Sequence, residues 1–315
     1  MSIVTKDPHS WFVCTNGSGE TQTVYNDETY EHNYPFGFEV NFADAATPQE
    51  NTVTLYNMSK EHRAFYHRKQ KCYVAFNWGK SKKILTEGYI TKIDVPTRDG
   101  VTESQVITFT EGTDYANIEA RKMKITKRRR VTGHKTVKVC NKKGKLVRRS
   151  VKTREIKTKR VNKTYRKGTD YMTLIKGIAS QSGIKIAKID LAKNPKLKKA
   201  YTATGKPLTL LKQIVKKTES EMTYIQGKLE IVNPKASKRT WYVIDDQDLV
   251  EPPASDEASD GEDTYEITIP LVPDITVNVG IHMKSKYLTG DYYVKSGKHT
   301  FDGENPQTQC SIAKV

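Results

Sequence analysis

The sequence predicts a mainly β protein with α+β character: two small β-barrel domains flanking a helical α/β module, plus a basic β-hairpin insertion. Three observations predict it. Apolar and β-branched residues alternate at period two over both ends of the chain, the period becomes helical only from Gly168 onward in the middle, and the positive charge is gathered into one stretch that itself alternates. A chain of 315 residues can bury two or three such cores. The expected boundaries are 1–120 for the N-terminal barrel, 121–167 for the hairpin, 168–239 for the α/β module and 240–315 for an acidic loop and C-terminal barrel.

From Trp11 to about Ala120 the strand signals are WFV, FGFEVNF, TVTLYN, CYVAFNW, GYITKIDV and SQVITFT, separated by turn-rich pieces such as NGSG and RDG. One short helix interrupts them: Ser59 is placed to cap KEHRAFYHRK, with Ala64 and Phe65 facing the core. In TVKVCNKKGKLVRRSV the β-branched residues Val137 and Val139 recur at period two before an Asn-Lys-Lys-Gly turn with Gly144, which predicts a β-hairpin; REIKTKRVNKTY leads out extended. Asp170 or Thr169 caps a helix with Met172, Ile175, Ile178 and Ala179 on one face and Gly183 at its end. A second helix opens near Pro207 and carries Leu208, Leu211 and Val215, and MTYIQGKLEIV is a hairpin around Gln226-Gly227. After an acidic loop, YEITIPLV, ITVNVGIHMKS and LTGDYYVKSGKHTF return to strands, with TWYVI at Thr240 as the expected start of this last domain.

Charge is unevenly distributed. Arg121 to Lys167 holds 22 of the 53 Lys and Arg residues and one of the 36 acids, Glu155. Removing that stretch leaves 31 bases against 35 acids, so the formal +17 belongs to one segment and the rest is slightly acidic. Conversely Asp245 to Glu266 carries ten acids and no base among Pro, Ser, Ala and Gly, and reads as a solvated loop or linker.

Nothing in the spacing advertises catalysis or metal binding. The histidines His9, His32, His62, His67, His134, His282 and His299 form no HExxH or HxH pattern and read as surface or half-buried residues; Walker, GxSxG and GxGxxG motifs are absent. Cys14, Cys72, Cys140 and Cys310 are too scattered for a zinc or disulfide framework. No cofactor is expected, the chain is not expected to be an enzyme, and the lack of a long apolar run predicts no membrane span and folding in a reducing cytoplasm. The basic hairpin is the candidate binding element, through Arg128, Arg129, Arg130, Lys135, Lys138, Lys142, Lys143, Lys145, Arg148 and Arg149. It suits phosphate capture, although aromatic interleaving is limited to Tyr165 near its end, or an acidic protein surface. The candidate acidic counter-surface, on the same or a neighbouring chain, is Asp256, Glu257, Asp260, Glu262 and Asp263.

The run NTVTLYNMSKEHRAFYHRKQKCYVAFNWGKSKKILTEGYITKIDV, from Asn51, resembles the first barrel of the tail hub proteins of tailed phages and phage-tail-like bacteriocins, with Gly88, Tyr89 and Ile90 as its G-x-I strand. ITIPLVPDITVNVGIHMKSKYLTGDYYVKSGKHTFDG is similar to their second barrel through Leu288, Gly290, Tyr292, Val294 and His299, and GTDYMTLIKGIASQSGIKI through EMTYIQGKLEIVNP resembles the inserted module. The likeness covers about two-thirds of the chain, in the family's order; the length and charge of 121–167 depart from it.

The resemblance implies a baseplate or tail hub in the virion: a homotrimer whose paired barrels form a pseudo-sixfold ring joining a sixfold tail tube or distal tail protein to a threefold spike or tip. Ten acids cannot neutralise 22 bases, so tape-measure protein or passing DNA are further expected partners of the hairpin. A nucleic-acid-binding protein with a basic β-arm is the alternative.

Overall fold

The computed structural model describes all residues except 1–4, 27–35, 46, 80, 114, 141, 143, 235–238 and 258–262, and the side chains of Glu155, Asp256, Glu257 and Asp263. The chain divides into two compact units. The first comprises 1–114, 185–193 and 215–315; the second comprises 115–184 and 194–214.

In the first unit, β1 (Pro8–Thr15), β2 (Thr21–Asn26), β3 (Phe36–Ala43), β4 (Glu50–Tyr56), β5 (Lys71–Trp78), β6 (Lys83–Ile93), β7 (Thr97–Asp99) and β8 (Thr102–Glu111) make an antiparallel body ordered β3-β4-β8-β6-β5-β1-β2, with β7 beside β8. Alternation sends Phe12, Phe36, Phe38, Val53, Phe76, Ile90 and Phe109 into one aromatic-rich core. The helix α1 (Lys60–Ala64) is capped by Ser59, whose Oγ accepts the His62 amide. It lasts only one turn, so Ala64 stays exposed while Phe65 packs on the core and Tyr66 is buried.

The second unit opens with a 3₁₀ turn over Ala120–Met123 and continues through β9 (Lys124–Cys140), β10 (Leu146–Asn162) and β11 (Thr164–Tyr165). The helix α2 (Tyr171–Ser182) follows. Asp170 caps it by accepting from the Thr173 amide at 2.8 Å, and Gly183, at φ +78, ends it with the Ile184 amide donating back to the Ala179 carbonyl. Leu174, Ile175, Ile178 and Ala179 are buried; Met172 is only half-buried.

The two-residue β12 (Lys188–Ile189) lies in the first unit, whereas β13 (Tyr201–Thr202), which pairs β11, and α3 (Pro207–Lys216) through Ile214 belong to the second. Back in the first unit, β14 (Glu221–Ile225) and β15 (Lys228–Val232) form the expected hairpin, with β12 added parallel to β15. Its turn residues Gln226 (φ +51) and Gly227 (φ +79) have the paired positive φ of a type I′ turn. Gly227 is required twice over, because an added Cβ would stand 2.1 Å from the Glu87 carbonyl oxygen.

The remaining strands are β16 (Trp241–Asp245), β17 (Glu251–Glu257), β18 (Asp263–Pro270), β19 (Gly280–Lys284), β20 (Thr289–Phe301) and β21 (Gln307–Lys314). They surround an aliphatic core that includes Ile244, Ile267, Ile281, Met283, Val294 and Ile312. The chain is mainly β, as expected, but neither β body closes into the expected barrel among the described residues. The reason is β20: β21 pairs it on one side on both halves, while on the other side its first half pairs β19 and its second half, beyond a bulge at Val294/Ser296, pairs β3 from Ser296↔Ala43 to Phe301↔Phe38. Both bodies therefore share one open 14-stranded sheet. Residues are exchanged across it: Phe301 and Leu271 fill the first core and Phe42 the second.

Part of the acidic stretch also differs from the expected loop, whose centre at 258–262 lies outside the described residues. Glu251–Glu257 is the terminal strand of the sheet, paired among the described residues with β18 alone, and Pro252 and Pro253 sit at its register shift, where a missing amide donor is tolerated.

Candidate functional site

The basic segment forms a two-stranded ribbon, because β-branched Thr, Val and Ile are spread through both arms and Gly144, at φ +74, lies in the connection between them. It is longer than the hairpin read from TVKVCNKKGKLVRRSV: the ladder runs unbroken from Leu146↔Cys140 to Asn162↔Lys124, so the exit segment REIKTKRVN is its return arm. Seventeen paired residues per strand span about 55 Å. Among the described residues β9 and β10 pair only with each other.

Strand alternation sorts the side chains. One face carries the even-numbered residues, including Lys124, Arg128, Arg130, Lys138, Arg148, Lys152, Arg154 and Arg160 with Thr126, Thr132, Thr136 and Thr158. On it Ser150 Oγ and His134 Nδ1 lie 3.3 Å apart. The other face carries Lys127, Arg129, Lys135, Arg149, Lys157 and Lys159 together with Val131, Val137, Val139, Val147 and Val151. Of the candidate residues, Arg128, Arg130, Lys138 and Arg148 thus share one face, Arg129, Lys135 and Arg149 share the other, and Lys142 and Lys145 lie in the connection; Lys143 is outside the described residues. Lys152, Arg154 and Arg160 were not singled out from sequence, yet the period-two spacing continues through them.

Of the acidic candidates, Asp256 and Glu257 end β17 and Asp263 begins β18, with Glu257 paired to Asp263; Asp260 and Glu262 lie outside the described residues.

Outside the ribbon several histidines and cysteines are built into the packing. His282 stacks on Trp241 with ring centres 4.3 Å apart and bonds Asp291 at 2.5 Å. His9 and His299 are buried, unlike the expected surface or half-buried histidines; His299 bonds the Thr308 hydroxyl at 2.8 Å, and burial pulls its pKa down to about 3. Cys14 and Cys72 face one another across β1 and β5 as free, buried thiols. Among the described residues no group of His, Cys, Asp and Glu could hold a metal ion, and no helix is long and apolar enough to cross a membrane.

Two carboxyls titrate far from their ordinary range. Glu111, which accepts from the Gln49 amide at 3.0 Å, is pushed up to about 7 by burial. Glu221 is raised to about 7 by its hydrogen bond with Asp44, by burial and by the Asp44 charge, with Lys295 opposing. Both bind protons more tightly folded than unfolded, so their stabilisation is present at low pH and is lost as pH rises from about 4.5 through 7. His299 acts oppositely, its contribution being lost as pH falls below about 6.5 toward 3. The Glu111 share is therefore read as a difference: Glu111→Gln is expected to gain on the order of 2 kcal/mol relative to wild type between pH 5 and pH 8. Melting curves at the two pH values check this, and parallel shifts of both proteins would refute it.

No family model and no curated protein matches the chain. Solved structures do. A 43 kDa tail protein of prophage MuSo2 from Shewanella oneidensis superposes with a TM-score of 0.60 over 97% of this chain and 98% of its own, at 11% identity. The fold is that of phage tail proteins. A tail protein from Neisseria meningitidis agrees, with a TM-score of 0.57 at 9% identity over 97% and 96% of the two chains. So does an E. coli component of the type VI secretion system that is itself similar to the phage T4 tail proteins gp27 and gp5, with a TM-score of 0.54 at 7% identity over 91% and 76%. At these identities the tail-protein likeness is one of fold, and it extends over nearly the whole chain, beyond the stretches that carried the resemblance in sequence.

Proposed function

We propose that the chain is a structural hub of the distal tail or baseplate of a phage or phage-tail-like particle, made in the cytoplasm of the bacterial host. In this reading it is a homotrimer that seats a sixfold tail tube or distal tail protein on a threefold spike or tip, and it works without catalysis. The observation that carries the reading is the near-complete mutual coverage with a phage tail protein. The two β bodies fit it too: each has its own core, so three chains offer six similar β surfaces to a sixfold ring.

The ribbon is the arm that holds the assembly together through charge, its bases meeting the acidic β17–β18 hairpin of a neighbouring copy and leaving surplus positive charge for tape-measure protein or passing DNA. The native mass of the purified chain tests the hub: a trimer is expected, and one that seats on tail tube in low-resolution images. A monomer that ignores tail proteins and binds duplex DNA with a steep salt dependence would replace it with the second reading, a nucleic-acid-binding protein, which the acid-free row of eight bases on one ribbon face favours.

A further inference from the structure

A two-stranded ribbon standing alone in water is marginal, and among the described residues no strand pairs with either edge of this one, while one of its faces is studded with valine. Val139, Val147 and Val151 are 39%, 43% and 42% exposed, although each points to the face that carries fewer bases. Along β10 from Val147 to Arg154 the two faces differ in kind. Val147, Val151 and Thr153 point one way and Arg148, Lys152 and Arg154 the other, with Arg149 the one base on the valine side.

We propose that the outer edge of β10 accepts an added strand from an acidic protein segment in which aliphatic and acidic residues alternate. Strand addition satisfies the open backbone edge, and the period of two does the rest: a strand in register places every second side chain beside the valines and the intervening ones beside the bases. Aliphatic residues complement the first row and carboxylates the second. A second copy of the ribbon does not fit, because it would set like charges side by side. The acidic β17 is a poor donor, since Pro252 and Pro253 lack amide donors and it offers no aliphatic alternation. Nucleic acid would use the bases and leave the valines uncovered, and a lipid surface is disfavoured by the lack of Trp, Tyr or Phe between Lys124 and Asn162.

The inference deepens the reading of the ribbon as a partner-binding arm and rests on it. Its test uses the full chain and two labelled synthetic peptides, one alternating valine with glutamate and one alternating serine with glutamate, measured by fluorescence anisotropy at physiological salt. The valine peptide is expected to bind about tenfold more tightly. Val147→Thr/Val151→Thr, which keeps β-branched residues in an exposed strand, should abolish that preference without moving the melting temperature. Equal affinity of the two peptides for wild type, or a preference that survives the double substitution, overturns strand addition. So does loss of anionic-vesicle or duplex-DNA binding on the same substitution, which would give the valine row to lipid or nucleic acid. Native mass on the same samples separates the two readings: a trimer without peptide preference sinks only the strand addition, and a monomer with it sinks only the hub.

Discussion

Phe301→Ala is expected to destabilise the protein by about 3–5 kcal/mol, the cost of emptying a large aromatic site in a packed core. Phe301 ends β20 yet is buried in the first β body, with its ring centre 5.8 Å from Phe38 and 6.0 Å from Phe76. Its backbone partner is Phe38, the last rung by which β20 holds β3. Removing the ring therefore opens a cavity at the seam between the two bodies, into which a close-packed core relaxes only partly. Phe301→Leu should retain most of the stability. Chemical denaturation checks both, and a loss below about 1 kcal/mol for the alanine variant would mean that the seam does not depend on this contact.

That seam explains what could and could not be read from the sequence. Local signals were legible because they are local: Asp170 and Gly183 bracket α2, Gln226-Gly227 turns β14 into β15, and the ribbon alternates. The pairing of Ser296 with Ala43 joins residues far apart in the chain, and either strand alone looks like the wall of a separate barrel. Composition misled at Glu251–Glu257, where Pro and Ser suggested a loop; an edge strand tolerates those residues because one side of its ladder is not used. At α1 the apolar pattern suited Ala64, but a one-turn helix hands the buried position to Tyr66. The candidate bases were visible as charge, whereas their division into two faces needed the register, since shifting the pairing by one residue would bring different side chains together.

That division gives the second large effect. Replacing Arg128, Arg130, Arg148 and Arg154 by glutamine removes half of the charge on the even face, and exposed positions on a ribbon give no reason for the fold to suffer. If the face meets the acidic hairpin of a neighbouring copy, association at low salt should weaken about a hundredfold, four contacts of somewhat under 1 kcal/mol each. The loss should shrink as salt shortens the screening length below the spacing of the charges. Neutralising Asp256, Glu257, Asp260, Glu262 and Asp263 should weaken association comparably. The combination is decisive, because two sets of charges that touch each other cannot both be lost twice: the doubly neutralised chain should associate about as well as either singly neutralised one. Sedimentation of the four proteins across a salt series measures this, and strictly additive losses would mean that the ribbon and the acidic hairpin serve different partners.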